Sequence, residues 1–571
     1  MRLPRFIRFA RCLGFLVFLR FLLAPVLLTA DTYPRQTGVD AIHYVFRLAL
    51  SDASDQITGE ATVTVKFLLD KVGDVQLDLA SPSAGKGMTV QSVRRGSVTD
   101  VPGPHRTAQS PRGGDPGPAS DALVYSHTNN RLRLVLPTAS TAGQQFTFTV
   151  RYHGIPADGL LHGNNIHGER TIFANNWPNQ VRHWLPMIDH PYDKATGEIL
   201  VTAPAHYQVV SNGALVEESD RPNGMRLTHW KQSVPIASWL YTLAVARFTS
   251  HHAGSASGIP VQTWVFPQDR DAGLSLFEDL SRRAMNFFVT HIGPYPYEKL
   301  ANIQATGFSG GTEYASAIFY GEKGVNAGRG PVVHEIAHQW FGNSVTERDW
   351  DDVWLSEGFA TYFTLLFTEH DEGRDAFVDG LARSRAQIVQ LEQKLPDTPV
   401  IHRNLADMSK VLNNLVYQKG GWVLHMLRAE VGTETFWTAI REYYRRYRDQ
   451  NASTAELRAV FEQISGKDLG WFFSQWLTRA GVPKVDGSWR YLPARKAIEV
   501  TLTQAQAAEP FRLAVDIGVA AEAGDLPRVE RIELTGRSAT KTISVDSEPA
   551  AVTLDPNTWL LMEAATFTKR P

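Results

Sequence analysis

The chain has 571 residues, of which 43% are hydrophobic and 20% are charged, and its formal net charge is -2. A chain of this length is too long for a single hydrophobic core. Because a domain has about 150 residues, three or four folded units are expected. The near-neutral charge gives no electrostatic reason to expect nucleic acid or an acidic surface as a partner.

The first thirty residues differ in composition from the rest of the chain. Four arginines come before an apolar run that ends at Ala30. A basic start, a short apolar core and a small residue before Asp31 are typical of an export signal. We therefore expect residues 1–30 to be a signal peptide and the mature protein to be extracytoplasmic, periplasmic or secreted, with no stable membrane span after cleavage. An uncleaved membrane anchor is the alternative, because the run from Cys12 would be long enough with Arg20 buried in it.

Residues 31–248 carry the period-two pattern of β-strands. The segments "YVFRLAL" from Tyr44, "ATVTVKF" from Ala61 and "FTFTVRY" from Phe146 alternate apolar with polar residues. Such alternation predicts half-buried strands of an antiparallel sheet or sandwich, so we expect an N-terminal β domain over 31–248. The stretch Pro102–Ser120 is rich in Pro and Gly without an apolar period, which predicts a surface insertion.

Residues 249–483 carry mainly helical patterns. The segments "FEDLSRRAMNFFVTHIG", "LNNLVYQKGGWVLHMLRAEVG" and "ETFWTAIREYYRRY" are amphipathic at helical spacing. Ser453 and Glu456 have the spacing of a capping box, in which each side chain accepts from an amide at the start of the helix. Past this region alternation returns, which predicts a small C-terminal β-sandwich domain over 484–571.

The segment "VVHEIAHQWFG" contains a His-Glu-x-x-His motif. Its apolar residues predict a buried helix that begins at Pro331 and has Gly342 as its C-cap. His334 and His338 then lie one turn apart on the same face, so both imidazoles can bind one metal ion, and Glu335 lies near that point. A catalytic zinc ion takes three protein ligands and leaves one position for water.

A second helix is predicted through "VWLSEGFATYFTLLFTEH", with Asp351 or Asp352 as its cap. Glu357 lies in the first turns of this helix, beside Trp354 and Phe359. A carboxylate there is costly to bury unless a cation compensates its charge, so Glu357 is expected to be the third metal ligand. Hydrogen-bonded core histidines, with no metal, are the alternative interpretation of the first motif.

These motifs resemble those of the zinc aminopeptidases of the aminopeptidase N and leukotriene hydrolase type. His334, Glu335, His338 and Glu357 match the family's His-Glu-x-x-His, eighteen residues, Glu arrangement. "WLSEGFA" is similar to the family's Trp-Leu-Asn-Glu-Gly-Phe-Ala, with a serine for the asparagine. "VYQKGG" is similar to its Tyr-x-Lys-Gly segment and nominates Tyr417, and "VRHWLPMIDHP" resembles a signature of its N-terminal β domain.

The resemblance implies a multidomain α+β chain. An N-terminal antiparallel β domain of saddle or sandwich form would precede a thermolysin-like, mainly helical catalytic domain and the small β-sandwich. The long helical C-terminal domain of larger members is not expected. The resemblance also implies one Zn²⁺ per chain, with Glu335 as general base and Tyr417 as the donor to the oxyanion.

The segment "SGGTEYA" occupies the place of the family's Gly-x-Met-Glu-Asn exopeptidase segment. By resemblance, Glu313 pairs with the free α-ammonium of a peptide substrate and thereby limits cleavage to one residue from the end. Gly310 and Gly311 have no Cβ, so an extended substrate can pair with their backbone as an added strand. The substrates expected are peptides with a free N-terminus.

Three departures from the family pattern bear on amine recognition. Thr312 stands in place of the methionine of this segment and Tyr314 in place of its asparagine, while Trp177 falls where many members carry a Glu or Gln that holds the substrate amine. The amine is therefore expected to depend more on Glu313 than is usual. Two other functions stay open from the sequence: a zinc epoxide hydrolase of the same family, and a zinc-stabilised binding protein without catalysis.

Four further features are interpreted as structural. Asp189 and His190 are expected to support the β domain, and His402 to lie in a loop or at the rim of the site. The basic segment "YYRRYR" is expected to be a solvated helix face. Asn451 in "NAS" fits a glycosylation acceptor, which matters only in a eukaryotic secretory route.

Overall fold

The computed structural model describes residues 31–96, 121–326, 329–563 and 566–571. The predicted signal peptide and the predicted surface insertion both lie outside these ranges and stay predictions. Within the ranges, no helix is long and apolar enough to cross a membrane.

The N-terminal region is built from strands. Those among its described residues are β1 Val39–Ala49, β2 Ile57–Phe67, β3 Asp74–Asp78, β4 Gly87–Arg95, β5 Tyr125–Thr128, β6 Arg131–Val135, β7 Gln145–Ile155, β8 Leu160–Asn164, β9 Arg170–Ala174, β10 Lys194–Pro204, β11 Gln208–Ser211, β12 Ala214–Arg221, β13 Met225–Ala237 and β14 Leu243–Ala246. They form one large sheet of order β12-β13-β10-β1-β2-β7-β4 and two smaller sheets, β11-β14-β9-β8 and β3-β6-β5.

The large sheet follows the predicted alternation closely. Tyr44, Phe46 and Leu48 of β1 are buried, while the residues between them are half-buried. β1 pairs antiparallel with β2, and Tyr44 lies opposite Val63. The pairing of β1 with β10 is parallel, unlike the antiparallel sheet that was expected. The long stretch of chain between these two strands permits a parallel pair, because no short hairpin joins them.

The middle region combines a mixed sheet with helices. Its strands are β15 Thr249–Ala256, β16 Ile259–Val265, β17 Leu300–Ala305, β18 Gly311–Thr312, β19 Ala317–Gly321, β20 Thr346–Glu347 and β21 Asn451–Ala452. Its helices are α1 Arg270–His291, α2 Arg329–His338, α3 Trp354–Glu372, α4 Arg374–Lys394, α5 Gly420–Val431, α6 Thr433–Tyr447, α7 Thr454–Ser465 and α8 Gly470–Leu477.

The sheet of this region has the order β15-β16-β17-β19-β18, with β17 parallel to both β16 and β19. Sequence patterns did not predict it. Every residue of β17 and β19 is buried, so these strands lack the alternation that marks a half-buried strand. The short strand β18 pairs with β19 and forms one edge of the sheet.

Several helix limits differ from the prediction. α2 begins at Arg329 rather than Pro331 and ends at His338, and Gly342 lies in the following turn with a φ of 109°. Asp351 and Asp352 do not cap α3, because a short 3-10 turn separates them from Trp354, and their carboxylates instead accept from Asn404, Leu405 and Thr454. The capping box of Ser453 and Glu456 is confirmed.

The C-terminal region forms two sheets. Its strands in the described residues are β22 Val485–Leu492, β23 Ala497–Gln504, β24 Leu513–Ala520, β25 Arg528–Leu534, β26 Ser538–Ser544, β27 Ala551–Leu554 and β28 Phe567–Lys569. The sheet orders are β26-β23-β22-β28 and β25-β24-β27. The region contacts α5, where the His425 ring stacks on Trp559 and His425 Nε2 bonds the Thr558 carbonyl at 2.8 Å. The expected multidomain α+β architecture is confirmed, and the domain limits at 248 and 483 stay predictions.

Candidate metal centre

Helix α2 brings two histidines together at its C-terminal end. His334 and His338 are one turn apart, and their Nε2 atoms lie 3.0 Å from each other. The His338 side chain is 1% exposed and that of His334 is 19% exposed, so the pair is reached from the His334 side. The two imidazoles therefore converge on one point, as the motif predicts.

Glu357 on α3 supplies a third atom at the same point. Its Oε2 lies 3.3 Å from Nε2 of His334 and 3.3 Å from Nε2 of His338. Ligands at about 2.0–2.1 Å from a tetrahedral zinc ion are about 3.3 Å from one another. The three atoms thus have the spacing of a zinc triad before any metal is considered, and the donor set of two imidazoles and one carboxylate is one that zinc accepts.

The second ring nitrogen of His338 is also engaged. Nδ1 lies 3.2 Å from the Phe341 carbonyl and 3.1 Å from the Ser356 hydroxyl. A Cβ at Gly342 would lie against the same nitrogen, at 3.0 Å, so glycine leaves the room for this contact. Partners of this kind fix the ring orientation of a metal-binding histidine. Ser356, a departure from the family's asparagine, therefore has a place beside the ligand.

Charges around the three ligands favour a cation. Burial acts to raise the pKa of Glu357, but His338 and His334 lower it to about 2. Burial acts to lower the pKa of His338, but the carboxylates of Glu313 and Glu357 raise it to about 10. An ionised carboxylate facing two imidazoles stabilises a positive charge between them, whether a proton or a metal ion.

Glu335 faces strand β18 across a very short distance. An added Cβ at Gly311 would collide with the Glu335 carboxylate, whereas one at Gly310 would meet nothing within 4 Å. Gly311 was expected to make room for substrate, and it makes room for this carboxylate as well. Burial and the nearby Glu313 raise the pKa of Glu335 well above its ordinary value, which increases its affinity for a proton.

Glu313 lies in the same group of side chains. One carboxylate oxygen each from Glu313 and Glu335 and a ring nitrogen of His338 are within 4.8 Å of one another. Burial raises the pKa of Glu313 to about 7, with His338 acting to lower it and Glu357 to raise it. Its Oε1 has no hydrogen-bond partner among the described residues. A buried carboxylate oxygen without a donor can accept one from a bound ligand.

Tyr417 reaches the site from a π-helical turn, Leu415–Lys419, rather than from the continuous α-helix that was predicted. Its ring stacks at 6.1 Å from that of His334. Burial and the Glu357 carboxylate raise the pKa of Tyr417 far above its ordinary value, so the hydroxyl keeps its proton as a donor. π-Turns occur often at functional sites because they redirect one side chain.

The three departures from the family pattern are used for packing. Trp177 lies edge-on to Trp239 at 4.5 Å and to Trp350 at 4.8 Å. The Tyr314 hydroxyl accepts from the Asn176 amide at 2.9 Å and is buried. Thr312 donates its hydroxyl to the Gly311 carbonyl. None of the three side chains supplies a carboxylate for the substrate amine, and the expected dependence on Glu313 stays a prediction.

The residues given a structural interpretation have structural partners. His190 Nε2 bonds Asp31 at 2.7 Å, Asp189 pairs with Arg182, and His402 Nε2 bonds the Val411 carbonyl. The Asn451 amide nitrogen donates to the carbonyls of Pro191 and Glu347 at 2.8 and 3.2 Å. This engagement disfavours Asn451 as a glycosylation acceptor.

Sequence reasoning missed three buried polar residues around the site: Gln339, Asn343 and Lys419. Gln339 and Asn343 both donate to the Glu313 carbonyl, at 3.0 and 2.5 Å. Lys419 bonds Glu392 at 2.7 Å and the Gly481 carbonyl at 2.9 Å. Their closeness in sequence to His338 and Tyr417 was the available signal, but their roles depend on chain segments that are distant in sequence.

Comparison with known families gives two matches in chain order. Residues 40–240 match the Peptidase M1 N-terminal domain, and residues 280–476 match the Peptidase family M1 domain. Together these ranges make up more than half of the chain. The second range contains every predicted metal ligand together with Glu335 and Tyr417.

A relative of known name agrees with these matches. The chain is 27% identical over 376 residues to glutamyl aminopeptidase of Rattus norvegicus, and the aligned region covers 61% of this chain and 39% of that relative. The chain thus spans about two fifths of the length of that relative.

Solved structures share the fold at low sequence identity. An M1 zinc metallopeptidase mutant from Deinococcus radiodurans, bound to a Tyr-Ser-Ala substrate, has a TM-score of 0.65 and 23% identity, over 79% of this chain and 97% of that chain. Legionella pneumophila aminopeptidase A in complex with aspartic acid has a TM-score of 0.75 and 18% identity, over 95% and 61% of the two chains.

Proposed function

The chain belongs to peptidase family M1, and we propose that it is a zinc-dependent aminopeptidase that hydrolyses N-terminal residues from peptides. The observation that carries the proposal is the joint presence of the ligand triad and Glu313. The triad has zinc spacing, and a buried carboxylate that can bind an ammonium group lies next to it. A purely structural zinc site has no need of the second feature.

A bound zinc ion supplies Lewis-acid chemistry, because it polarises a carbonyl group and makes water more acidic. His334, His338 and Glu357 would hold this ion. Glu335 then takes the proton of the attacking water and passes it to the leaving amine nitrogen. The Glu335 carboxylate supports the first of these two roles by its position, within 4.8 Å of a ring nitrogen of the ligand His338.

Tyr417 donates its hydroxyl to the substrate carbonyl oxygen as negative charge develops there. The donor is effective because the ring is held beside His334 and because the hydroxyl keeps its proton. A preorganised donor in a water-poor site stabilises the transition state more than it does the substrate.

Glu313 makes the enzyme an exopeptidase. Its carboxylate pairs with the substrate α-ammonium, so the bond that faces Glu335 is the first peptide bond of the chain. Strand β18 is an edge strand, and Gly310 and Gly311 can pair with the substrate backbone as an added strand. The free amine and the extended backbone together define the substrate class.

A panel of aminoacyl-arylamides tests this function on the purified protein. We expect zinc-dependent cleavage of substrates with a free amine and negligible cleavage of their N-acetylated forms. Chelation should abolish the activity and added zinc should restore it. Equal cleavage of free and acetylated substrates would contradict the role of Glu313, and hydrolysis of lipid epoxides alone would favour the epoxide hydrolase alternative.

We also propose that the protein is exported. The support is the sequence of residues 1–30, with a basic start and an apolar core that ends at Ala30. N-terminal sequencing of the mature protein and cell fractionation test the proposal. A mature chain that still begins at Met1 and resides in the cytoplasm would contradict it.

A further inference from the structure

The segment that carries Glu313 is a tight turn between β18 and β19. Ser316 has a φ of 62°, and the Ala317 amide donates to the Tyr314 carbonyl at 3.1 Å. The turn therefore folds the chain back on itself within a few residues. The direction in which Glu313 points depends on what holds the two ends of this turn.

Gln339 holds both ends of the turn with one side chain. Its Nε2 donates to the Glu313 carbonyl at 3.0 Å, and its Oε1 accepts from the Ser316 amide at 2.9 Å. The same Nε2 lies 3.3 Å from the carbonyl of Glu335. Gln339 is fully buried, so water does not compete for these bonds.

Gln339 therefore connects three parts of the site. It follows the metal ligand His338 directly in sequence, its amide contacts the backbone of Glu335, and it fixes the turn that carries Glu313. We propose that Gln339 is the positioning residue that sets the place of the Glu313 carboxylate relative to Glu335 and the metal ligands. The inference rests on the proposed aminopeptidase function and deepens it.

Asn343 binds only one end of the turn among the described residues. Its amide nitrogen also donates to the Glu313 carbonyl, at 2.5 Å, but among the described residues it makes no bond to Ser316. The outer side of the turn is held separately, since Asn212 donates to the Ala315 carbonyl at 2.7 Å. Among the described residues, only Gln339 binds both ends of the turn with one side chain, Nε2 at Glu313 and Oε1 at Ser316, while Nε2 also contacts the Glu335 carbonyl of α2.

Binding of two hydroxamates to the zinc-loaded protein tests this role by calorimetry. Leucine hydroxamate carries an α-amine, and 4-methylpentanehydroxamate is the same molecule without it. The ratio of their dissociation constants measures the contribution of the amine. In the native protein we expect a large ratio, and Glu313→Ala should bring it close to one.

Gln339→Met keeps the side-chain length but removes the polar atoms that bind the turn. We expect it to lower the ratio by about tenfold or more, because the turn loses its bonds from Gln339 to the Glu313 carbonyl and the Ser316 amide. Binding of the amine-free hydroxamate should change little. Gln339→Met combined with Glu313→Ala should lower the ratio no further than Glu313→Ala alone.

Gln475→Met is the matched control. Gln475 also binds backbone with both polar atoms, to the carbonyl and amide of Arg512 at 3.1 and 2.7 Å, but it lies at the contact with the C-terminal sheets. The Gln475→Met variant should leave the ratio of the two dissociation constants unchanged. If Gln339→Met does not fold, Gln339→Asn takes its place, because a side chain shorter by one methylene cannot reach both ends of the turn.

The outcomes separate this inference from the proposed function. A native ratio near one would overturn the role of Glu313 itself. A large native ratio that Glu313→Ala removes but the Gln339 variant retains would overturn the positioning role alone. Equal weakening of both hydroxamates would also overturn it, because it would show a general structural defect.

Discussion

Gly311 lies directly against the proposed base, Glu335. The position next to its Cα is taken by the Glu335 carboxylate, so the glycine determines where the proposed base lies. The role is visible only in three dimensions, because in sequence the two residues are far apart and the segment "SGGTEY" is compatible with an ordinary turn. Sequence reasoning nominated Gly311 for substrate access, and the structure adds the contact with the base.

Gly311→Ala should therefore reduce turnover with the zinc content unchanged. A displaced base costs about a hundredfold in rate when the shift approaches 1 Å. We expect a loss of that order in kcat for an aminoacyl-arylamide. Gly310→Ala, where the added Cβ has open space, should lose far less. Equal losses at the two positions would show that the contact with Glu335 is unimportant.

Glu347 is a buried carboxyl group from which we predict how the free energy of unfolding depends on pH. It is 1% exposed, and neither carboxylate oxygen has a hydrogen-bond partner among the described residues. Burial raises its pKa from 4.5 to about 8. Between those values the folded protein binds more protons than the unfolded chain, so this group makes the free energy of unfolding fall as pH rises from about 4.5 to 8.

Glu347→Gln removes the titration and keeps the shape of the side chain. The variant and the native protein should be similar in stability near pH 4.5, and the variant should be more stable by about 2–4 kcal/mol at pH 8. Urea unfolding of both proteins at several pH values measures the difference. A difference that stays constant with pH would contradict a buried, protonated Glu347.

Among the secondary-structure elements, the π-turn Leu415–Lys419 and helix α3 form the second half of the site. Gly358 of α3 and Gly420 just after the turn are in close contact, since a Cβ on either would come within about 3.0 Å of the backbone of the other. This contact lets Tyr417 and Glu357 approach the same point. The buried pair of Lys419 and Glu392 fixes the turn from its other side.

Lys419→Met should destabilise the protein by about 3–5 kcal/mol, because it leaves the Glu392 carboxylate buried without its partner. The double variant Lys419→Met, Glu392→Leu should recover most of this loss, since both charges are then removed. Chemical unfolding of Lys419→Met, Glu392→Leu and the double variant measures the coupling energy between the two side chains. Additive losses would show that the two side chains act independently.

The helices of the site were predictable because amphipathic period and motif spacing are local properties. The His-Glu-x-x-His segment gave α2 within two residues at its start, and alternation gave strands such as β1. The π-turn was not predictable, because "LNNLVYQKGG" has an ordinary helical pattern, and the close contact of Gly420 with Gly358 beside the turn joins segments that are distant in sequence. Strands β17 and β19 were missed because they are buried on both faces.

At the scale of the whole molecule, the N-terminal strands and the catalytic helices meet next to the site. Asp31 accepts from the Trp350 amide at 3.0 Å and bonds His190 at 2.7 Å, so one buried carboxylate links the β region to the turn before α3. Lys194 at the start of β10 donates to the Asn343 and Ser344 carbonyls at 3.1 and 2.7 Å. These contacts join segments that no local pattern connects, and none was predicted from the sequence.

The predicted zinc triad and the proposed base Glu335 can be tested together with one variant. Glu335→Gln leaves His334, His338 and Glu357 in place and removes the proton acceptor. We expect the purified variant to bind one zinc ion per chain, as the native protein does, and to lose nearly all hydrolysis of aminoacyl-arylamides. Full activity in the variant, or native protein that is active without zinc, would contradict zinc-dependent hydrolysis with Glu335 as the base.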